Sequence, residues 1–326
     1  MQRAPADAAV QKEVSATAAQ RLRVARDAIR HVKRDVVRHS GNQMDALIET
    51  DFNARMRYVV LRNNGFWNLD DLPRGVEHGQ LATAKALHVN GGACYENAMA
   101  AYYYLRHKGG PGMRIRKVSV MLHDHAFVLI GDESEPDSEW VVADPWPTEA
   151  KAVLWVDHFM YTPHRHLLQV DNESTVDGSN VIPHLASLIS LNRAGEYAMR
   201  WDLKKIGGNP YIIVDKLEKN GFRIDVNRPV ARQVLAHLKT IRDDEPFEWN
   251  AGDAETWSED RLWVWCLSKV NLAIVQEILD RGYRGERTFE DAPSRDLDPQ
   301  GDITMYGQDF TSQTNPSYAV APGQGG

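Results

Sequence analysis

Hydrophobic residues recur at helical spacing in the first part of the chain and gather into short runs after it. Between residues 17 and 61 the apolar positions advance in steps of three and four with charges between them, which predicts one or two amphipathic helices. The segment 76–90 is expected to form a short helix or an extended approach to two glycines. A helix is then predicted from Cys94 to about residue 106, because alanine, tyrosine and leucine side chains share one stripe.

Three runs rich in valine, isoleucine, phenylalanine or tryptophan follow that helix, and each predicts a strand. The runs are RIRKVSVML, HAFVLIG and EWVVAD. The acidic stretch DESEPDS between the last two predicts a loop that closes an antiparallel hairpin. Helices followed by antiparallel strands indicate the α+β class.

Polar and apolar composition also divides the chain into regions. Residues 170–180 are polar and predict a flexible domain boundary. The α+β domain, with its N-terminal helices, is then expected over 17–169, and apolar stripes predict a helical C-terminal domain over 181–290. The leader 1–16 and the tail 291–326 have the composition of disordered segments.

Composition and charge exclude several classes of protein. The 326 residues carry a net charge of -7, which argues against nucleic-acid binding because phosphate contacts depend on clustered lysine and arginine. No run reaches the roughly 18 apolar residues of a membrane-spanning helix, and the N-terminus lacks the apolar block of a Sec signal. We therefore expect no membrane span, and either a cytoplasmic protein or one secreted by a dedicated system into a target cell.

The chain contains two cysteines, Cys94 and Cys266, too few for a disulfide framework, so both are expected to be free thiols. Cys266 lies in an apolar helical stretch and is expected to pack inertly. Cys94 follows Gly91 and Gly92 and opens the predicted helix. The N–H groups at a helix start have no intrahelical acceptor and carry partial positive charge, which stabilises a thiolate there. Cys94 is therefore a candidate nucleophile.

A cysteine nucleophile needs a base and a group that orients the base. His125 begins one predicted strand and Asp144 ends the next. A symmetric hairpin would place them directly opposite each other on one sheet face, within reach of a hydrogen bond. The same register pairs Phe127 with Val142 and Leu129 with Trp140.

His123 shares the parity of His125, but in this register it faces Trp146, so His125 is preferred as the base. The backbone N–H of Cys94 is one expected donor to an oxyanion. Asn90 and Gln80, both upstream of the cysteine, are the alternatives for the second donor. Trp146 either shields this group from water or lines a substrate groove, or it belongs to the core.

The pieces GGACYENAMAAYYYLR, DHAFVLIG and WVVADPW together resemble a transglutaminase-like, papain-type cysteine enzyme. The resemblance implies a papain/transglutaminase-like core of a helix plus an antiparallel sheet, with a triad of Cys94, His125 and Asp144. It implies acyl chemistry through a thioester on a protein substrate, with no metal and no organic cofactor. Some bacterial toxins and host-injected effectors with this core deamidate or transamidate glutamine or cut peptide bonds, so a host-protein target is a further expectation.

The helical C-terminal domain lies outside this resemblance, and the sequence does not choose among deamidation, transamidation and proteolysis. A rival hypothesis is a non-catalytic binding protein on a papain-like scaffold, with the helical domain docking a partner. His158, His164 and His166 could also suggest metal ligands, but their spacing matches no common zinc pattern. No metal site is therefore expected.

Overall fold

The computed structural model describes residues 11–43, 46, 50, 53–120, 125–199 and 317–320. Within these residues helices and strands are combined, so the predicted α+β class is confirmed. The helices are α1 (Ala16–His31), α2 (Asn53–Arg62), α3 (His78–Val89), α4 (Cys94–Lys108), α5 (Ile182–Ser187) and α6 (Arg193–Met199). A π-helical turn, Val32–Val36, extends α1.

The longer strands are β5 (Arg114–Val120), β6 (Ala126–Ile130) and β9 (Leu168–Thr175). The shorter ones are β1 (Gln11–Val14), β2 (His39–Ser40), β3 (Trp67–Asn68), β4 (Gly91–Gly92), β7 (Val141–Ala143), β8 (Val153–Leu154), β10 (Ser190–Leu191) and β11 (Ser317–Val320).

Five strands form an antiparallel sheet in the order β8-β7-β6-β5-β9. Apolar side chains alternate across it, so each face is buried against a different cluster. On one face Ile115, Val128 and Ile130 pack with the helices. On the other, Phe127 packs in a smaller aromatic cluster with Trp140 and Trp155, among others.

Helix α4 lies at the centre of the larger cluster, because nearly all of its first three turns are buried. It contacts β5 and β6 on one side and α1 and α3 on the other. Helix α1 begins where the Ser15 hydroxyl accepts the Ala18 N–H at 3.0 Å, as an N-cap. The two-residue strand β4 comes immediately before α4 and pairs with β2 in parallel. The pairing with β2 thereby holds the segment that leads into α4.

The region predicted as a domain boundary, 170–180, is partly strand, since β9 runs to Thr175 and pairs with β5. The first residues beyond it pack on the α+β unit: His88 in α3 donates to the Ala186 carbonyl at 2.8 Å, and the Asn192 N–H donates to the Phe66 carbonyl at 2.9 Å. The rest of the predicted helical domain, residues 200–290, lies outside the described residues.

Strand also occurs in the two segments predicted as disordered. Residues 11–14 of the leader form β1, and residues 317–320 of the tail form β11, which pairs with β1 in parallel. Tyr318 in β11 also donates its hydroxyl hydrogen to Asp157 at 2.9 Å. Among the residues described, the helices are too short or too polar to cross a membrane, in agreement with the sequence.

Candidate active site

Cys94 is the first residue of α4 and is 8% exposed. The helix start is braced by Glu96, which accepts the Ala93 N–H at 2.8 Å and is itself fully buried. Arg62 forms an ion pair with Glu96 at 2.8 Å and balances its charge. A buried carboxylate in the first turn also complements the positive end of the helix. Cys94 is thus held at a rigid helix N-terminus, as the sequence predicted.

His125 comes immediately before β6 and is buried beside Cys94. Its Nε2 hydrogen bonds to Asp144 Oδ2 at 2.7 Å, and its ring also hydrogen bonds with the side chain of Cys94. Because Nε2 is taken by the carboxylate, Nδ1 is the ring atom left for the sulfur. The structure therefore brings the three predicted residues together in the order thiol, imidazole, carboxylate.

The register between β6 and β7 differs from the expected one by two residues. Leu129 lies opposite Val142 rather than Trp140. Asp144, one residue beyond β7, is therefore a diagonal neighbour of His125 and not its direct partner. A shift of two residues keeps every side chain on its predicted face, whereas a shift of one would reverse it. The side chains still meet, because diagonal neighbours lie within reach of long side chains.

Asp144 is fully buried and its carboxylate accepts three hydrogen bonds. His125 and His158 both donate to Oδ2, at 2.7 and 3.2 Å, and the Trp146 N–H donates to Oδ1 at 3.0 Å. Burial alone would raise the pKa of Asp144. The charge and hydrogen bond of His125 and the hydrogen bond of His158 lower this pKa by more than burial raises it. Asp144 is consequently ionised at neutral pH.

The electrostatics of His125 follow from those of Asp144. Burial lowers the pKa of the imidazole, but the Asp144 charge and hydrogen bond raise it by more, and Cys94 raises it again. The pKa of His125 is therefore well above its usual value of about 6.5. This arrangement favours an imidazolium beside the sulfur, and an imidazolium is the partner that stabilises a thiolate.

Aromatic rings enclose the His125–Asp144 pair. The indole of Trp146 lies 4.9 Å from the His125 ring between centroids, and Phe159 lies 5.4 Å from it. Trp146 is buried and donates its Nε1 hydrogen to Asn42 Oδ1 at 2.9 Å. Trp146 therefore packs in the core and also covers the pair. Excluding water from the pair strengthens its electrostatic coupling.

The two candidates for a second oxyanion donor have other surroundings. The side-chain oxygen of Gln80 accepts the Glu77 N–H at 3.1 Å and so caps the start of α3. Asn90 is exposed at the end of α3, where its positive φ of 53° closes the helix. Neither residue has a described hydrogen bond to the triad. The first-turn N–H groups of α4, including that of Cys94, remain the candidate donors.

His125, Asp144 and His158 could also be considered as metal ligands, since one donor atom from each lies within 4.8 Å of the others. A metal bonded at about 2.0–2.2 Å to a nitrogen and an oxygen holds those two atoms about 3 Å or more apart at tetrahedral or octahedral angles. The 2.7 Å contact between His125 and Asp144 is shorter and has the length of a charge-assisted hydrogen bond. The geometry thus favours a direct hydrogen bond between His125 and Asp144 over a metal ion bound between them.

His158 was considered from the sequence only as a metal ligand with His164 and His166. It turns toward Asp144 instead, while the rings of His164 and His166 lie 5.6 Å apart. Its contribution to the site could not be read from spacing, because it follows a short strand and a 3-10 turn that the pattern did not predict. His123 and Cys266 lie outside the described residues.

Comparison of the chain with protein-family models, curated proteins and solved structures finds no match.

Proposed function

We propose that the protein is a thiol-dependent hydrolase or acyltransferase that acts on protein amide bonds through a thioester on Cys94. The observation that carries this proposal is the single buried line of hydrogen bonds from the Cys94 thiol through His125 to Asp144. The same residues, in the same order, underlie the resemblance to transglutaminase-like and papain-type cysteine enzymes.

The chemistry follows from the placement of the groups. The Cys94 sulfur attacks the amide carbonyl carbon, and N–H groups at the start of α4 stabilise the negative charge that develops on oxygen. The His125 imidazolium gives its proton to the leaving nitrogen as the C–N bond breaks, which leaves a thioester. Neutral His125 then takes a proton from an incoming water or amine, whose attack on the thioester carbonyl breaks the C–S bond, releases the acid or the new amide, and restores the thiolate and the imidazolium. Asp144 orients His125 throughout.

A non-catalytic binding protein is the rival, and the cost of burying the triad argues against it. Burying an ionised carboxylate and an imidazolium loses hydration that their mutual attraction scarcely repays, so a buried pair of this kind adds little to stability. Here the two groups are 0% and 4% exposed, and the imidazole hydrogen bonds with a cysteine. Strongly shifted pKa values in a buried cluster next to a nucleophile are typical of functional sites.

The proposal is tested by alkylation of Cys94 with iodoacetamide across pH, in a Cys266→Ser background so that one thiol is followed. We expect alkylation faster than that of a simple thiol, and its loss in His125→Ala, because a positively charged imidazole next to the sulfur favours its nucleophilic form. Arg30→Ala, which removes an exposed ion pair with Asp27 in α1, serves as the control. Alkylation no faster than that of a simple thiol at any pH, and indifferent to His125, would exclude the catalytic proposal.

The bond that is attacked can be identified with a glutamine-rich protein such as casein as the probe. Incubation with a fluorescent primary amine reports transamidation, and intact-mass analysis distinguishes conversion of an amide to an acid from chain cleavage. Each product is expected to disappear in Cys94→Ala. If Cys94 is hyper-reactive but none of the three products forms, the substrate lies outside this probe, and the rapid alkylation still supports the thioester chemistry.

A further inference from the structure

His158 has a defined tautomer, which its neighbours impose. It is buried in the aromatic cluster, 4.7 Å from Phe127 and 4.3 Å from Phe159 between ring centroids. The Met160 backbone N–H donates to its Nδ1 at 3.3 Å. A backbone N–H can only donate, so Nδ1 carries the lone pair and the ring hydrogen lies on Nε2. That hydrogen points at Asp144 Oδ2, 3.2 Å away.

The environment also keeps His158 neutral. Burial lowers its pKa, and the hydrogen bond and charge of Asp144 raise it by less than burial lowers it. The titratable groups that act on it are Asp144 and His125, and the charge of His125 lowers its pKa further. His158 is therefore a neutral donor, whereas His125, on the same carboxylate oxygen, is the charged one.

A charged and a neutral histidine thus donate to the same oxygen, Asp144 Oδ2. Asp144 Oδ2 is the atom that orients and charges His125, and His158 is its second donor. A hydrogen bond to an ionised group is worth more than one between neutral groups. If the His158 donor were removed, the buried carboxylate would keep two partners in place of three, and its ionised form would lose support.

We propose that His158 is a positioning residue of this site, which holds the Asp144 carboxylate ionised and aimed at His125 and so maintains the imidazolium beside Cys94. This proposal rests on the proposed function, because it assigns His158 a part in preparing the same nucleophile. It extends the triad by a fourth side chain that does not touch the reacting atoms.

The first test compares His158→Phe with His158→Gln in the Cys266→Ser background. Phenylalanine fits the aromatic surroundings but cannot donate, whereas glutamine keeps an N–H donor of similar reach. We expect the acid limb of the iodoacetamide profile of His158→Phe to move up by about 0.5 to 1 pH unit, which slows alkylation by about three- to tenfold at pH values below that limb. His158→Gln should stay within about twofold of the parent.

A second measurement does not depend on Cys94 reactivity or on the variants being equally stable. Long-range ¹H–¹⁵N spectra of the labelled protein identify the tautomer and charge of each histidine. We expect His158 to be neutral with its hydrogen on Nε2 at neutral pH, while His125 is an imidazolium that becomes neutral at lower pH in His158→Phe.

The outcomes separate the two proposals. If His125→Ala abolishes rapid alkylation while His158→Phe keeps the parent profile and loses only stability, His158 is a core residue and the inference is wrong. A His158 hydrogen on Nδ1, or a His125 titration unmoved by His158→Phe, also overturns it. If wild-type Cys94 reacts as a simple thiol, the proposed function fails, and the histidine spectra still decide whether His158 controls the charge of His125.

Discussion

His125 and Asp144 are offset by two residues across the β6–β7 pair, yet Nε2 and Oδ2 meet at 2.7 Å. The offset makes Asp144 reach diagonally along the sheet face. Its carboxylate is consequently open to a second donor on the same oxygen, and His158 occupies that position at 3.2 Å. The electrostatic character of the site depends on this carboxylate more than on any other single group.

Replacing Asp144 by asparagine separates its charge from its geometry. The variant keeps an acceptor for His125 but removes the charge that raises the pKa of the imidazole, so we expect the alkaline limb of Cys94 alkylation to move down by about 1 to 3 pH units. Asp144→Ala removes the acceptor as well and should also reduce the maximum rate. A profile of Asp144→Asn that matches the wild type would show that the charge of Asp144 has no influence on His125.

Stability should be greatest near pH 6.5, because the two histidines act in opposite directions. His158 has a lowered pKa, so below about pH 6.5 the unfolded chain binds a proton that the native one does not. The free energy of unfolding therefore decreases as the pH is lowered, by up to about 1.4 kcal/mol per pH unit. His125 has a raised pKa, so its contribution is complete below about pH 6.5 and is lost as pH rises above it.

Urea unfolding at a series of pH values measures both slopes. His158→Phe should flatten the acidic side and His125→Phe the alkaline side, each relative to the wild type. Slopes that neither variant changes would mean that other groups set the pH dependence of stability.

Two buried tryptophans provide a matched pair. Trp146 donates to Asn42, whereas Trp155 Nε1 is buried with no hydrogen-bond partner within the described part of the chain. Both lose similar volume on change to phenylalanine, but Trp146→Phe also removes a buried hydrogen bond. We expect Trp146→Phe to cost about 1 to 2 kcal/mol more than Trp155→Phe in the free energy of unfolding. Equal costs would indicate that the Asn42 bond contributes nothing.

The turn before Cys94 has no room for a side chain at Gly92. A Cβ there would lie 2.6 Å from the Cβ of Glu96, the residue that braces the start of α4. We expect Gly92→Ala to cost about 1 to 3 kcal/mol in stability and to slow Cys94 alkylation, because the helix start must shift. Gly110→Ala is the control, since the nearest atom there is the end of the Gln20 side chain at 3.2 Å. Equal behaviour of the two variants would contradict this view of the turn.

Local patterns in the sequence predicted the elements that carry the triad. The helix at Cys94 and the strands around Phe127 and Val142 were evident from apolar spacing, and strand parity placed His125 and Asp144 on one face. The register was wrong by two residues because a symmetric hairpin loop was assumed. In the structure the Arg21 guanidinium of α1 donates two hydrogen bonds to the Glu135 carboxylate in that loop, at 2.7 and 2.9 Å. Local sequence patterns do not reveal such a long-range contact.

Other features were missed for related reasons. Strand β9 has a largely exposed, polar sequence, so it looked like a linker, although edge strands commonly have this composition. His158 reaches Asp144 from a loop whose course depends on tertiary packing, and spacing along the chain gave no indication of it.

The pairing of β1 with β11 joins Gln11 to Ser317, positions at nearly opposite ends of the chain. Closing so long a loop is entropically costly, so this contact should form after the five-stranded sheet has assembled. Tyr318 then hydrogen bonds to Asp157, the residue before His158. The late pairing of β1 with β11 is therefore linked to the segment that carries His158. During synthesis the triad would assemble first, and its support by β11 would come only after residues 317–320 had emerged.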